Sequence, residues 1–293
     1  MSLEARAIAQ YLKANVKPLL AAARSPAEAA VLLDQRPPGF PDAGGHAATF
    51  GGVEGLWVGA SGTPKATLLY LHGGAYFAGA PHLYGPVLRA FADAGFDVFA
   101  PAYRLAPAHP FPAALDDARA AYAGLRETVE TPIVFAGDSA GGGLALAVMI
   151  AERAAGGDPP RAAALFSPWT DLAATGASAR ENEEKDALFT RLMLRVGARA
   201  YLNGASAKTP LASPLYADLS GLPPLLVHVG EDEMLRDDST RFVARAREAG
   251  VEAELALWPD VPHGWQMMDP IPEAKASREK AIAFLSGKLA ARA

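Results

Sequence analysis

The sequence predicts an α/β fold with a mainly parallel sheet, because short apolar runs alternate along the chain with helical patterns. Most of these runs are apolar at every position, which is typical of strands that helices cover on both faces. The runs that predict strands lie at 55–59, 67–71, 96–100, 132–136, 162–166, 225–229 and 253–258. The helical patterns lie at 83–94, 113–126, 140–155, 236–249 and 273–290.

Two segments depart from this alternation. About the first 45 residues contain two alanine-rich helical patterns and a Pro/Gly-rich linker at 37–45. Residues 175–212 insert a further helix, at about 188–202, between consecutive strands. A connection of that length inside a domain is usually functional or disordered. We interpret both segments, about 1–45 and 175–212, as a helical cap over the carboxyl edge of the sheet, within a single domain spanning 1–293. Helices that simply pack on the outside are the alternative.

Composition excludes several classes of function. The 293 residues carry a formal net charge of −5, without a basic cluster, so we expect no nucleic-acid partner. The absence of cysteine excludes disulfides, thiolate catalysis and Cys-ligated metals. The N-terminus, with Glu4 and Arg6 among its first residues, predicts an amphipathic helix instead of a signal peptide, and no stretch has the length of a membrane span. We therefore expect a cytoplasmic protein without a membrane partner.

A candidate nucleophile is Ser139, in the sequence GDSAGG at 137–142. This sequence follows the apolar run at 132–136 directly and opens the helical pattern at 140–155. A serine on such a sharp strand-to-helix turn presents its hydroxyl, and the glycines let strand and helix approach closely. The free N–H of Ala140 at the start of the helix would stabilise an oxyanion. The pattern alone is weak, since a glycine-rich packing turn would look similar, but its position between strand and helix favours catalysis.

A candidate oxyanion hole follows the apolar run at 67–71, in the sequence HGGAY at 72–76. Attack on an ester places negative charge on the carbonyl oxygen, and preorganised backbone donors stabilise that charge. A loop after an early strand commonly supplies such donors in hydrolases with a serine on this kind of turn. We predict an oxyanion hole of Gly73, Gly74 and Ala140, and we interpret His72 as a support for the loop.

A serine hydrolase of this kind needs a catalytic triad of serine, histidine and an acid. The acid is expected between the nucleophilic serine and the histidine in chain order. Asp232 follows the apolar run at 225–229 and is the predicted acid, with Glu231 and Glu233 as close rivals. At this end of a parallel strand, a carboxylate can orient an imidazole that arrives from a neighbouring strand.

The predicted general base is His263, in the loop after the apolar run at 253–258. Pro262 and Gly264 flank it, which suits a fixed and accessible imidazole. His228 lies inside an apolar run and is interpreted as a core residue.

At these motifs the sequence resembles the hormone-sensitive lipase family of esterases within the α/β-hydrolase superfamily. The motifs that carry the resemblance are HGGAY at 72–76, YRLAP at 103–107, HPFPAA at 109–114, GDSAGG at 137–142, SPWTD at 167–171, SPL at 213–215, the acidic segment at 232–238 and PHGW at 262–265. They occur in the family's order and spacing and cover about residues 50–290.

The resemblance implies an α/β-hydrolase fold with a mostly parallel sheet of about eight strands, a helical cap, and hydrolysis of carboxylic esters without a metal or other cofactor. It also implies a preference for short acyl chains and allows a homodimer. We expect Tyr76, Phe77, Met193 and Trp265 to form apolar walls around a small-molecule ester, with acyl chains of about C2 to C8.

Two alternatives remain open at the level of sequence. The same triad hydrolyses lactones, carbonates and amides, so the bond that is cleaved is not determined. A non-catalytic binding protein on the same fold is a more remote alternative, as in the plant gibberellin receptors, which resemble this family but lack the triad histidine; His263 argues against it.

Overall fold

The fold is built around one eight-stranded sheet, seen in a computed structural model that describes residues 2–36 and 40–290. The strands are β1 (His46–Phe50), β2 (Val53–Val58), β3 (Ala66–Leu71), β4 (Phe96–Pro101), β5 (Ile133–Asp138), β6 (Ala163–Phe166), β7 (Leu225–Gly230) and β8 (Ala253–Trp258). Their order is β1-β2-β4-β3-β5-β6-β7-β8, in which β2 pairs antiparallel with both β1 and β4 and all the other pairs are parallel. The predicted fold class is confirmed.

Helices cover both faces of the sheet. They are α1 (Leu3–Tyr11), α2 (Lys17–Ala22), α3 (Pro26–Leu33), α4 (Gly85–Asp93), α5 (Ala113–Thr128), α6 (Ser139–Ala154), α7 (Ser178–Glu181), α8 (Arg191–Leu202), α9 (Arg236–Glu248) and α10 (Pro272–Ala290). A π-helical turn (Leu12–Val16) joins α1 to α2, and short 3₁₀ turns lie at Pro81–Tyr84, Pro214–Tyr216 and Trp265–Met267. Among the helices within the described ranges, none combines the length and the apolar character that a membrane span requires.

The core forms two layers, one on each side of the sheet. Successive residues of β3 point to opposite faces, so that Leu69 and Leu71 pack with α5, α6 and α9, whereas Leu68 and Tyr70 pack with α4 and α10. Because both faces are covered, the central strands are apolar throughout. The sheet is therefore rigid where its carboxyl edge carries the loops described below.

One strand was missed by the sequence analysis. Strand β1 mixes polar and small apolar residues and is mostly exposed, since it pairs only with β2 at the edge of the sheet. An edge strand needs no continuous apolar run, so the pattern that identified the other strands is absent here.

The two segments interpreted as a cap contact each other. Helices α2 and α3, from the N-terminal segment, pack against α8, from the inserted segment. Helix α8 begins at residue 191, later than predicted, because the side chain of Thr190 caps it by accepting a hydrogen bond from the Met193 amide. This contact supports the interpretation of the segments as one cap. Part of the predicted linker, residues 37–39, lies outside the described residues.

Candidate active site

Ser139 occupies a strained turn between β5 and α6. Its φ is +53°, in the left-handed region that non-glycine residues seldom adopt. Close packing enforces the turn: a Cβ atom at Gly141 would overlap the Leu71 carbonyl oxygen at the end of β3. No hydrogen bond of the Ser139 hydroxyl is found among residues 2–36 and 40–290, so the hydroxyl is free to turn toward a base. The sequence prediction for this turn agrees with its observed backbone.

The imidazole of His263 is bound to a carboxylate, but to a different one from that predicted. Its Nδ1 donates to Oε2 of Glu233 over 2.6 Å, and both side chains are buried. The side chain of Asp232 is 41% exposed and lies 3.8 Å from the Lys185 ammonium. The prediction of Asp232 as the partner of the imidazole is therefore wrong, and Glu233, named only as a rival, takes the position.

The charges around His263 raise the pKa of its imidazole and so stabilise the protonated form. Burial is the largest single effect and would lower the pKa of His263, but the charge of Glu233, its hydrogen bond and the charges of Asp186 and Asp138 together outweigh burial. The result is a pKa above the usual value. His263 follows β8 as Ser139 follows β5, so both lie beyond the carboxyl ends of parallel strands, at the same edge of the sheet.

The loop after β3 lies against this turn, since a Cβ atom at Gly73 would be 3.1 Å from Cβ of Ser139, but its free amides are not the pair predicted. The N–H of Gly73 donates to Oδ1 of Asp138 over 2.9 Å and is unavailable to a substrate. By contrast, the N–H groups of Gly74 and Ala75 find no acceptor within the part of the chain that the structure describes. The prediction of Gly73 as an oxyanion donor is therefore wrong, and Ala75, which has a left-handed φ of +52°, replaces it as a candidate donor.

The first amides of α6 offer a further donor. The N–H of Ala140 lies in the first turn of this 16-residue helix, where backbone N–H groups have no intrahelical partner. Partial positive charge accumulates at that end of the helix. Gly74, Ala75 and Ala140 therefore supply three candidate donors for a developing negative charge.

A buried polar cluster supports the loop after β3. Besides Gly73, Asp138 Oδ1 accepts a hydrogen bond from the Tyr70 hydroxyl at 2.9 Å, and burial raises the pKa of Asp138 to about 6. The ring of His72 is stacked on Tyr103 and bonded through Nδ1 to the Gly73 carbonyl, and burial lowers the pKa of His72 to about 4. His72 thus contacts its own loop, as the sequence analysis expected.

The predicted apolar walls divide into two groups. Met193 and Phe77 are partly buried, and Phe77 lies against Gly197 of α8, so both sit at the boundary between sheet and cap. Tyr76 is buried and stacked on Tyr201 at 3.7 Å, which makes it a support behind the loop and not an open wall. Trp265 is fully buried and faces a separate core cluster, so its assignment to the substrate pocket is wrong.

The inserted segment covers the imidazole from above. Phe189 packs its ring against His263, with ring centres 4.7 Å apart. Beside this contact lies a cavity of about 270 Å³, whose lining includes His263, Glu233 and Asp186 together with Arg6 and Lys13 of the N-terminal segment. The predicted core residue His228 is buried in β7, where its Nδ1 pairs with Ser277 at 2.7 Å.

Comparisons with known proteins agree with this architecture. Residues 68–267 match a family defined by the α/β-hydrolase fold. An acetyl-hydrolase of Streptomyces hygroscopicus is 43% identical over 245 residues, which cover 82% of each chain. An esterase of Acinetobacter venetianus is 35% identical over 229 residues, or 76% of each chain. The chain therefore belongs to the α/β-hydrolase family.

The structural comparisons narrow this assignment. The crystal structure of an esterase from the bacterial hormone-sensitive lipase family superimposes with a TM-score of 0.90 at 37% identity and covers 99% of both chains. A hormone-sensitive lipase from a metagenome library gives a TM-score of 0.89 at 35% identity, over 98% of this chain and 100% of the other. Within the superfamily, the chain is a member of the hormone-sensitive lipase family, as its motifs indicated.

Proposed function

We propose that the protein is a serine carboxylesterase, with Ser139 as nucleophile, His263 as general base and Glu233 as the acid that orients the imidazole. The observation that carries the proposal is the 2.6 Å hydrogen bond between His263 and Glu233 at the sheet edge where Ser139 stands on its strained turn. The names of the related acetyl-hydrolase and esterases agree with this chemistry.

The mechanism follows from these roles. His263 Nε2 takes the proton of the Ser139 hydroxyl as the oxygen attacks the ester carbonyl, and Glu233 stabilises the imidazolium through Nδ1. The carbonyl oxygen gains negative charge, which the amides of Gly74, Ala75 and Ala140 stabilise. The imidazolium then protonates the departing alcohol and leaves an acyl group on Ser139. Water, deprotonated by the same imidazole, releases the acid and restores the enzyme.

The nucleophile is tested by substitution and by labelling. Ser139→Ala should lower kcat for p-nitrophenyl butyrate by several orders of magnitude, since the acyl-enzyme can no longer form. A p-nitrophenyl phosphonate should add its phosphonyl group to one peptide of the native protein, that containing Ser139, and should leave Ser139→Ala unmodified. Turnover by Ser139→Ala within tenfold of the native value, or labelling elsewhere, would contradict the assignment.

The same site is proposed to act on esters with short acyl chains. Phe189 packs against the imidazole and Phe77 against α8, and we expect these two rings to limit the length of the acyl chain. In a p-nitrophenyl ester series, kcat/KM should be highest between about C2 and C8 and should fall for longer chains. A maximum at C12 or beyond would contradict this proposal. A lactone and an anilide in the same series establish which other acyl bonds the triad cleaves.

A further inference from the structure

Ser167 stands between the two halves of the candidate triad. It follows β6 directly, and β6 separates β5, which carries Ser139, from β7, which leads to Glu233. Its φ is +46°, again in the left-handed region, and its N–H donates to the His228 carbonyl over 2.7 Å. A glycine would adopt this backbone conformation without strain but would carry no hydroxyl.

The hydroxyl of Ser167 donates a hydrogen bond to Glu233, the proposed acid of the triad. Its Oγ donates to Oε1 of Glu233 over 2.6 Å, and both residues are 1% exposed. The same Oε1 accepts from the Gly230 amide at 2.6 Å, while Oε2 accepts from His263 at 2.6 Å. Each carboxylate oxygen therefore has its own partners, and within the described ranges Ser167 is the one hydroxyl that donates to Glu233.

We infer that Ser167 is a positioning residue for the Glu233 carboxylate, a role that rests on the proposed function. The terminal torsion of a glutamate side chain is broad and roughly two-fold, so burial alone does not fix which direction the carboxylate oxygens face. The two donors to Oε1, Ser167 and Gly230, fix the plane of the Glu233 carboxylate. Oε2 is then directed at Nδ1 of His263. Without the Ser167 hydroxyl, the Gly230 amide is the single remaining restraint on Oε1, and the imidazole is held less firmly.

Two substitutions separate the hydroxyl from the strain in the backbone. Ser167→Ala removes the oxygen and keeps the strained φ, whereas Ser167→Gly removes the oxygen and relieves the strain. Loss of a hydrogen bond to a charged group, where that bond is needed in the transition state, corresponds to a fall in rate of about 10- to 100-fold. We expect both variants to lose kcat by about that factor for p-nitrophenyl butyrate, with KM within about threefold of the native value.

A matched substitution and a double-mutant cycle test whether the loss acts through Glu233. Ser213→Ala removes an equally buried hydroxyl, which donates to the Ala207 carbonyl and accepts from the Leu172 amide but makes no contact with Glu233, and should keep kcat within about twofold. In a Glu233→Gln background, Ser167→Ala should lower kcat by less than about twofold further, because the amide no longer accepts from Nδ1 of His263, and orienting it through Ser167 then has no effect on the imidazole.

The possible outcomes separate this inference from the proposed function. Native kcat in Ser167→Ala or Ser167→Gly, or a full additional loss in the Glu233→Gln background, would overturn the positioning role. If Ser139→Ala is inactive at the same time, the esterase mechanism stands and this inference alone fails. If Ser139→Ala is active, the proposed function fails first. Should Ser167→Ala not fold, Ser167→Gly, with its relaxed backbone, decides the result.

Discussion

Two neighbouring carboxylates show how strongly single residues differ at this site. Glu233 is buried and bonded to the imidazole, whereas Asp232 faces solvent beside Lys185. Glu233→Gln should lower kcat by about 10³- to 10⁴-fold, because the neutral amide neither fixes the required tautomer nor stabilises the imidazolium. Asp232→Asn should keep kcat within about threefold, since exposed ion pairs contribute little. Steady-state kinetics of the two variants decides which residue is the acid, and the reverse ranking would refute our assignment.

The pH profile follows from the raised pKa of His263. The imidazole accepts a proton only when neutral, so kcat/KM should fall as the pH drops through a value above 6.5, the usual pKa of histidine. In Glu233→Gln the main cause of the upward shift is lost, and the acidic limb of the profile should move to lower pH. A limb at the same pH in both proteins would show that another group controls it.

Asp138 predicts a dependence of stability on pH. Its folded-state pKa is about 6 against 3.8 for the unfolded group, so the native state binds more protons and stability falls as the pH rises between these values. Asp138→Asn mimics the protonated form. Its stability relative to the native protein should therefore increase by up to about 3 kcal/mol between pH 4 and pH 7.

Urea unfolding at both pH values measures this difference. The exposed Asp93, paired with Arg89 at the surface, provides the comparison: Asp93→Asn should shift the unfolding midpoint by nearly the same small amount at both pH values. A relative stability of Asp138→Asn that does not change with pH would indicate that the pKa of Asp138 is the same in the folded and unfolded states, and would contradict this prediction.

At this scale the sequence predicts residue types better than their orientation. Ser139 and His263 are placed by motifs whose positions between strand and helix are distinctive. The choice between Asp232 and Glu233 depends on a turn in which the Glu233 amide reaches back to the Gly230 carbonyl, and no periodicity in the sequence reports that turn. The choice between Gly73 and Ala75 likewise depends on left-handed backbone at Gly74 and Ala75.

At the scale of elements, the inserted segment and the loop that carries Glu233 form one unit. The side-chain amide of Asn182 donates to the carbonyls of Glu231 and Glu233, each at 3.0 Å. Asp186 Oδ2 accepts from the Met234 amide at 2.8 Å, and its Oδ1 accepts from the Phe189 amide at the same distance. The buried side chain of Asp186 thus binds both the backbone of Phe189, whose ring packs against the imidazole, and the loop that carries Glu233.

Asp186→Asn tests this connection. An asparagine keeps the shape but replaces one acceptor by a donor, so at least one backbone N–H loses its partner, at a cost of about 1–3 kcal/mol. We expect a lower Tm together with a lower kcat, because Glu233 and Phe189 both lose support. Asp232→Asn, in the same loop, should change neither. A loss of Tm with native kcat would show that the segment stabilises the fold without orienting the triad.

The elements themselves were predictable where burial dictates composition. Interior strands such as β3 and β7 are covered on both faces and had to be apolar, so their positions follow from the sequence. Edge strand β1 and the start of α8 depend on pairing with one neighbour and on a single capping side chain, which leave weaker traces. That the two irregular segments contact one another is consistent with their interpretation as one cap, which followed from their departure from the alternation of strands and helices.

At the scale of the whole molecule, the N-terminal helices connect the C-terminal helix to the inserted segment. The hydroxyl and amide of Ser2 both donate to Glu273 of α10, and Ala5 is buried beside Trp265. Further along, the ammonium groups of Lys13 and Lys17 donate to backbone carbonyls in the segment that carries Asp186. Docking of α1 against the core is therefore coupled to the environment of His263.

This coupling predicts that undocking α1 changes substrate binding without unfolding the sheet. Ala5 is the one buried residue of α1, so the helix contributes little apolar burial, and an arginine there would place an unpaired charge in an apolar cluster. Ala5→Arg should detach α1, accelerate trypsin cleavage at Lys13 and raise KM, while the main unfolding transition stays within a few degrees. Ala7→Arg, on the exposed side of the same helix, should behave like the native protein. Unchanged protection from trypsin would refute the weak docking of α1, and unchanged KM in a detached helix would refute its coupling to the site.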